Sequence, residues 1–120
     1  MTNSTIVQQF FDSYTRALLG RDSKAIAEHY AVPALIEFPE HPIAVSEASQ
    51  TEQFFSGAFG QYEAVSTTHA TIKVVAETGH SIWADVTWTH DAGVPSEHFI
   101  YQLVRDSESW KIAVLTPLDT

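Results

Sequence analysis

The chain has 120 residues, of which 44% are hydrophobic and 18% charged, a composition typical of one globular domain with a single core. Fifteen acidic residues outnumber six basic ones and give a formal charge of −9, which argues against nucleic acid and anionic membranes as partners, because Lys and Arg bind both. There is no cysteine, which excludes disulfides, thiolate zinc sites and a cysteine nucleophile.

The start of the chain does not resemble a secretory signal, because it lacks a basic segment, a continuous apolar run and a small-residue cleavage site. Nowhere do about 18 apolar residues follow one another, the length that a membrane-spanning helix needs. We therefore expect a cytoplasmic protein. Residues 1–120 are expected to form one domain, since no linker, repeat or low-complexity tract interrupts them.

Helical periodicity opens the chain and predicts one long amphipathic helix. Its apolar stripe consists of Val7, Phe11, Tyr14 and Leu18. Gly20 is suited to end this helix, since glycine is common just beyond a helix C-terminus. Asp22 then predicts the cap of a second, shorter helix that runs through Ile26 to Tyr30.

Residues 31–39, AVPALIEFP, predict a strand bounded by its prolines, because proline is tolerated at strand ends but not inside a central ladder. A third helix is predicted to follow, opened by the capping-box pair Ser49 and Glu52. The buried side of this helix is predicted to carry Phe55, Phe59 and Tyr62.

The second half of the chain changes to the composition of β-strands. Four segments rich in β-branched and aromatic residues cover 66–77, 81–90, 97–105 and 110–117. Short turn signals separate them, which predicts an antiparallel meander. Helices followed by such a meander predict an α+β domain in which the helices pack on one face of a curved sheet.

The order of these elements resembles the nuclear transport factor 2-like superfamily, which includes the SnoaL-like proteins and ketosteroid isomerase. The resemblance spans nearly the whole chain and is clearest in residues 14–38, YTRALLGRDSKAIAEHYAVPALIEF, and in the final hairpin around Trp110-Lys111-Ile112. It implies a cone, in which a strongly curved, mostly antiparallel sheet wraps around the long N-terminal helix and two further helices. An apolar pocket is expected at the open end. Such cones serve as isomerases, dehydratases, cyclases, binders and protein-docking modules, so the fold does not decide the function.

The resemblance to ketosteroid isomerase implies catalytic roles for Tyr14 and Glu97. In that enzyme a tyrosine at the place of Tyr14 donates a hydrogen bond to the developing enolate oxygen. The tripeptide Glu97-His98-Phe99 resembles its Asp-His-Phe, whose acid is held protonated by an apolar pocket and donates beside the tyrosine. The structural alternatives are a core tyrosine bonded to backbone or water, and a solvated glutamate at a strand start.

The stretch Ile36–Pro42, IEFPEHP, raises the question of the base that removes a proton. In the isomerase pattern the base precedes the proline that ends this strand, and here that position is Phe38. Glu40 or His41 could replace it by reaching back from the loop, since both can accept a proton in a suitable environment. The alternative is a solvated polar turn.

His90 is the remaining acid-base candidate. It shares a strand face with Ile82, Ala84, Val86 and Trp88, so its imidazole could act inside an apolar pocket. Family dehydratases and cyclases use histidine or aspartate in this way. The alternative is a histidine hydrogen-bonded at the pocket rim.

No metal or cofactor is expected. The six histidines lack the spacings that place two ligands on one strand face or one helix turn. The chain also has no glycine-rich phosphate loop, nucleophile elbow or dinucleotide fingerprint.

The expected ligand is a small, largely apolar and uncharged molecule, because the implied pocket is apolar and the net charge of the chain is negative. The residues predicted to bind it are Phe38, Phe55, Phe59, Trp88, Phe99 and Tyr101. Trp83, on the opposite face of its strand, indicates a covered surface, and members of the superfamily commonly pair sheet to sheet. We therefore expect a homodimer through the outer face of the sheet.

Two functions follow from these residues. The first is a SnoaL-like enzyme that transfers protons at a carbonyl-type substrate, as an isomerase, cyclase or dehydratase. Tyr14 would orient the oxygen and Glu97 would donate beside it. The proton would be moved by His90, His41 or Glu40. The second is a non-catalytic small-molecule binder or dimeric assembly module of the same fold, which the missing base favours.

Overall fold

The computed structural model describes residues 3–118, apart from the side chains of Asn3, Ser4 and Gln61. Its helices are α1 (Asn3–Leu19), α2 (Ser23–Ala27) and α3 (Ala48–Ala58), and a 3₁₀ turn (Phe59–Tyr62) follows α3 directly. Its strands are β1 (Tyr30–Phe38), β2 (His41–Val45), β3 (Thr68–Glu77), β4 (Ser81–His90), β5 (Glu97–Asp106) and β6 (Ser109–Pro117). No helix in the described part of the chain is long and apolar enough to cross a membrane.

The six strands form one curved sheet in the order β2-β1-β6-β5-β4-β3. The strands β3 to β6 make the predicted antiparallel meander, each paired with the next along the chain. β1 lies parallel to β6, with Ile36 opposite Leu115, so a strand from the first half of the chain extends the meander. The predicted α+β class, with its mostly antiparallel curved sheet and long N-terminal helix, is confirmed.

The core lies between α1 and the concave face of the sheet. The stripe residues Val7, Phe11 and Tyr14 are buried, and Leu18 is half-buried. β4 buries alternate residues that pack against α1, and these are Ile82, Ala84, Val86 and Trp88. The predicted inward face of β4 is therefore confirmed, and Trp83 lies on the outer face.

The stretch Ile36–Pro42 is a tight β-hairpin, not the loop predicted from the sequence. β1 ends at Phe38, residues 39–40 form the turn, and β2 begins at His41, which pairs with Phe38. β2 is an edge strand, and there Pro42 can lack a backbone N–H without breaking a central ladder. The short strand was missed because Pro39 in the turn and Pro42 in the strand together resemble a loop.

Two predicted helix boundaries are also wrong. α2 is shorter than expected, and Tyr30 opens β1 instead of closing the helix. α3 begins after Glu47, whose backbone N–H donates to the Gln50 side chain over 2.9 Å, and the predicted pair Ser49 and Glu52 lies inside the helix. Glu47 with Gln50 and Ser49 with Glu52 can each supply the side-chain contacts of a capping box, so the local sequence alone does not choose between them.

Candidate functional site

A cavity of about 590 Å³ lies between α1, α3 with its 3₁₀ turn, and the concave face of the sheet. Sites for small molecules typically measure roughly 300–1,000 Å³. All six predicted ligand-binding residues line it: Phe38, Phe55, Phe59, Trp88, Phe99 and Tyr101. The five candidate catalytic residues line it as well: Tyr14, Glu40, His41, His90 and Glu97. Their catalytic and ligand-binding roles stay predictions.

Packed aromatic rings form the cavity wall near the β1–β2 hairpin. The ring centroids of Phe38 and Phe54 are 5.3 Å apart, and those of Phe38 and Phe99 are 6.0 Å apart. Phe54 also packs edge-on against Phe55 at 5.1 Å. Phe54 was not predicted as a lining residue, because Phe55 fitted the apolar stripe of the third helix. This wall is suited to an apolar ligand.

Four polar residues of the wall form one connected set, Tyr62, Thr68, His90 and Glu97, called the Glu97 cluster below. The Tyr62 hydroxyl donates to Glu97 and lies 2.8 Å and 2.7 Å from its two carboxylate oxygens. His90 Nε2 lies 2.9 Å from Glu97 Oε1. His90 Nδ1 lies 2.9 Å from Thr68 Oγ1. Glu97 is thus the centre of the cluster.

Glu97 is the more open partner of the central pair, since its side chain is 28% exposed and that of His90 only 7%. His90 contacts Thr68 through Nδ1 and Glu97 through Nε2, so both of its ring nitrogens have a partner. Burial, then the hydrogen bond to Glu97, raises the pKa of Tyr62 well above its usual value, which keeps this phenol a donor. Tyr62 and His90 thus both hold the Glu97 carboxyl group in the cavity wall, and its role as a hydrogen-bond donor stays a prediction.

The β4–β5 hairpin brings His90 and Glu97 together. His90 ends β4 and Glu97 begins β5, and the register makes them diagonal neighbours on one face. The connecting turn is anchored by Asp91, whose carboxylate accepts the Ser66 hydroxyl at 2.5 Å and the Ser66 backbone N–H at 2.8 Å. These hydrogen bonds hold the pKa of the Asp91 carboxyl below its usual value.

Tyr62 and Arg21 are site residues that the sequence did not predict. Tyr62 reaches Glu97 from the 3₁₀ turn, because α3 ends at Ala58 instead of continuing past it. Arg21 holds that turn, since its guanidinium donates to the carbonyl oxygens of Tyr62 at 2.5 Å and Val65 at 3.0 Å. The two links to Tyr62 span 35 and 41 positions, so no local pattern reveals them.

A second group of polar side chains in the core, called the tyrosine cluster below, consists of Tyr14, Tyr30, Trp88 and Tyr101. The Tyr14 and Tyr30 hydroxyls are 2.6 Å apart, and the Trp88 indole N–H donates to the Tyr101 hydroxyl over 2.9 Å. Burial raises the pKa of all three phenols well above the usual value. Tyr14 and Glu97, which were predicted to donate side by side to one substrate oxygen, both line the cavity.

Glu40 and His41 are exposed where the β1–β2 hairpin borders the cavity. Neither side chain has a hydrogen bond or ion pair to another residue within 3–118. No neighbour orients them, so they are weaker candidates for proton transfer than Glu97. Phe38 occupies the expected base position, half-buried in the wall, and Glu37 is exposed on the other face as strand alternation predicted.

Two further histidines have structural partners. His29 lies 2.9 Å from Ser13 Oγ and 2.7 Å from the Ala25 carbonyl oxygen, and burial lowers its pKa. His98 Nε2 lies 2.6 Å from Asp85 Oδ1 on the outer face of the sheet. In the described part of the chain, no three His, Asp or Glu side chains converge as metal ligands would.

Solved structures of other proteins share this fold at low sequence identity. An NTF-2-like protein of unknown function from Shewanella oneidensis matches with a TM-score of 0.80 and 12% identity, over 98% of this chain and 100% of that one. A putative scytalone dehydratase from Novosphingobium aromaticivorans matches with a TM-score of 0.76 and 11% identity, over 98% and 84%. A putative calcium/calmodulin-dependent protein kinase II association domain from Xanthomonas campestris matches with a TM-score of 0.66 and 15% identity, over 92% and 83%.

Among curated proteins, none matches the chain. A family model described as "NTF2-like protein (DUF6841)" matches residues 3–120, which is nearly the whole sequence. The helix order, the curved sheet and the solved structures agree with this match. The chain therefore belongs to the NTF2-like family DUF6841.

Proposed function

We propose that this protein is a SnoaL-like enzyme that transfers a proton next to the carbonyl group of a small, largely apolar and uncharged molecule. The observation that carries the proposal is Glu97, held by Tyr62 and His90 in the wall of a largely aromatic cavity. A carboxylate paired with a histidine in an apolar site is a typical acid-base group.

In the proposed reaction, Glu97 removes a proton from the carbon beside the carbonyl group. The electron pair of the broken C–H bond forms a C=C bond, and the carbonyl oxygen takes the negative charge of the enolate. In a substrate with a second C=C bond conjugated to the enolate, the electrons shift along both double bonds, and return of the proton from Glu97 to the far carbon isomerises the substrate. Expulsion of a β-hydroxyl group, which Glu97 protonates as it leaves, releases water instead. In this proposal the imidazole of His90 keeps its proton on Nε2, 2.9 Å from Glu97 Oε1, and so supports the charged form of the carboxylate.

The similarity to a putative scytalone dehydratase supports a reaction within this range, because both chains fold into the same curved sheet and helices. It supports the class of chemistry only, and the residue roles come from the contacts of the Glu97 cluster. Isomerase, cyclase and dehydratase activity share the same first step, the removal of a proton beside a carbonyl.

The experiment measures that shared step directly. Cyclic ketones such as 2-tetralone are incubated with the protein in deuterated water, and exchange of the protons beside the carbonyl is followed by NMR. We expect exchange above the buffer rate, falling about 100-fold or more in Glu97→Gln, the effect of removing a general base. Glu63→Gln is the control, since Glu63 is exposed on the neighbouring turn. No enhanced exchange with any ketone tested would contradict the proposal.

A non-catalytic binder or dimeric assembly module is the second candidate. The similarity to a putative association domain favours it, because that protein's name describes assembly on the same fold. Ligand binding without any proton exchange would support this second function over the first.

We also propose the partners that follow from the sequence: a cytoplasmic homodimer joined through the outer face of the sheet, without a cofactor, nucleic acid or membrane. The half-buried Trp83 on that face supports pairing there, since a large aromatic ring gains from being covered. Native mass spectrometry measures the subunit count, and a monomer in Trp83→Glu beside a wild-type dimer would identify this face.

A further inference from the structure

Within residues 3–118, the Tyr101 hydroxyl has one hydrogen-bond partner, the indole of Trp88. The Trp88 indole N–H can only donate, and it points to the Tyr101 hydroxyl over 2.9 Å, so the Tyr101 oxygen must be the acceptor. The proton of Tyr101 then needs a different acceptor. No described residue accepts it, although Tyr101 is only 2% exposed and lines the cavity.

Tyr14 and Tyr30, the other two phenols of the tyrosine cluster, do not accept the Tyr101 proton. Tyr14 and Tyr30 share one hydrogen bond of 2.6 Å, which uses one of their two protons. Burial raises the pKa of each phenol in the cluster, so all three protons stay in place at neutral pH. Two of the three phenol protons therefore have no acceptor among the described residues. Buried donors in native proteins are normally paired, and Tyr101 lines the cavity, so its proton is available to an acceptor atom there.

We propose that the cavity ligand carries a carbonyl-type oxygen that accepts the hydrogen bond of Tyr101, with Trp88 behind it. The proposal rests on the proposed function, since it assigns the carbonyl oxygen of that substrate to a residue. Tyr101 thereby takes the role that the sequence predicted for Tyr14, which is to donate a hydrogen bond to the carbonyl oxygen. Tyr14 has a free proton only if Tyr30 is the donor of their pair, whereas the Tyr101 proton is free in every arrangement.

Trp88 also makes Tyr101 a better donor. A hydroxyl that accepts a hydrogen bond is polarised and donates more strongly, because chains of hydrogen bonds reinforce one another in a low dielectric. Charge that develops on a carbonyl oxygen during proton removal would therefore meet a donor already in position. The ligand class that fits is a ketone, aldehyde, quinone or ester, and a ligand end that only donates hydrogen bonds would be rejected.

A matched pair of probes tests this assignment without needing the natural substrate. 2-Acetylnaphthalene offers a carbonyl oxygen, and 2-isopropenylnaphthalene has the same shape with a CH₂ group in its place. The affinity ratio of the two is measured for the wild type, Tyr101→Phe and Tyr14→Phe. Comparing ratios cancels the hydrophobic difference between the probes. We expect the preference for the ketone to fall about ten-fold in Tyr101→Phe, the effect of one lost hydrogen bond, and much less in Tyr14→Phe.

The infrared carbonyl stretch of the bound ketone provides a second readout that does not depend on a variant folding well. In the wild type we expect it at lower frequency than in an alkane solvent, as for a hydrogen-bonded carbonyl. In Tyr101→Phe it should return towards the alkane value. An unshifted stretch in the wild type, failure of the wild type to bind the ketone, or a shift that survives in Tyr101→Phe and disappears in Tyr14→Phe would overturn the assignment.

These outcomes separate the assignment from the proposed function. A shifted carbonyl without proton exchange would retain Tyr101 as the ligand's donor and remove the enzymatic proposal. Exchange that depends on Glu97, together with an unshifted carbonyl, would retain the enzyme and remove Tyr101. In Glu97→Gln the bound ketone should keep its shift while exchange is lost, because the two residues contact different atoms of the ligand.

Discussion

His90 Nε2 lies 2.9 Å from Glu97 Oε1 on the concave face of the sheet, where both residues line the cavity. A second pair, His98 with Asp85, joins the same two strands on the outer face, outside the cavity lining. Each pair joins a histidine to a carboxylate, but only the pair of His90 and Glu97 faces the cavity. Chemistry in the cavity should therefore depend on the inner pair alone.

Replacing each histidine tests this dependence. His90→Gln should lower the rate of ketone proton exchange at least about ten-fold, because Glu97 loses its imidazole partner. His98→Gln should leave the rate unchanged. NMR of the ketone in deuterated water measures both rates, and circular dichroism confirms that both variants are folded. Equal losses of rate in the two variants would contradict a special role for the inner pair.

Alkaline pH should unfold the protein before its phenols ionise. All four tyrosines of the chain, which are Tyr14, Tyr30, Tyr62 and Tyr101, have pKa values raised chiefly by burial. Phenols in the unfolded chain lose protons near pH 10, so the unfolded state binds fewer protons above that pH and stability falls as the pH rises. Below about pH 10 the phenols are protonated in both states, so they take nothing from the free energy of unfolding.

The measurement compares tyrosinate absorbance with circular dichroism in one alkaline titration. We expect the absorbance to rise only as the folded signal is lost. A phenol that ionises fully while the protein remains folded would contradict the burial of these side chains.

Arg21→Lys should loosen the 3₁₀ turn that carries Tyr62. The guanidinium donates through Nη2 to carbonyl oxygens of the turn and through Nη1 to the Leu19 carbonyl oxygen, and a single ammonium nitrogen cannot reach both places. We expect faster backbone hydrogen exchange in residues 59–65 and a loss of about 1–2 kcal/mol of stability. Exchange mass spectrometry locates the change. Unchanged protection there would show that the turn is held by its other contacts.

Thr51→Val should stabilise the protein. The Thr51 side chain is 1% exposed, and its hydroxyl has no hydrogen-bond partner among the described residues. Valine has the same shape without the buried polar group, so the free energy of unfolding should rise by about 1 kcal/mol. Urea denaturation measures it. Thr15→Val is the control, because the Thr15 hydroxyl donates to the Phe11 carbonyl oxygen and its removal should bring no gain.

Much of the fold could be predicted because hydrophobic residues recur at the spacing of a helix or a strand within each segment. The bounds of β4 agree with the predicted segment, since its alternate residues face the core and the solvent in turn. The short strand β2 could not be predicted, because Pro42 and its length resemble a loop. The parallel pairing of β1 with β6 is a contact between distant segments, which no window of sequence contains.

In the candidate site, too, the local features could be predicted and the contacts between distant segments could not. His90 and Glu97 were each predicted as candidates, and their contact could have been inferred, since they flank one hairpin turn on the same face. The hydrogen bond from Tyr62 could not, because the conversion of α3 into a 3₁₀ turn decides where that hydroxyl points. The pairing of Trp88 with Tyr101 likewise depends on the register of β4 and β5 and on side-chain rotamers.

The parallel pairing of β1 with β6 leaves β2 and β3 as the two edges of the sheet. β2 has only five residues and contains Pro42, which cannot donate a backbone hydrogen bond to an incoming strand. β3 is longer, but its register shifts between Val74 and Ala76, and the exposed Lys73 adds a charge next to the irregularity. Both edges therefore resist the strand-by-strand addition that produces aggregates, and the cavity can be apolar without making the sheet prone to fibril growth.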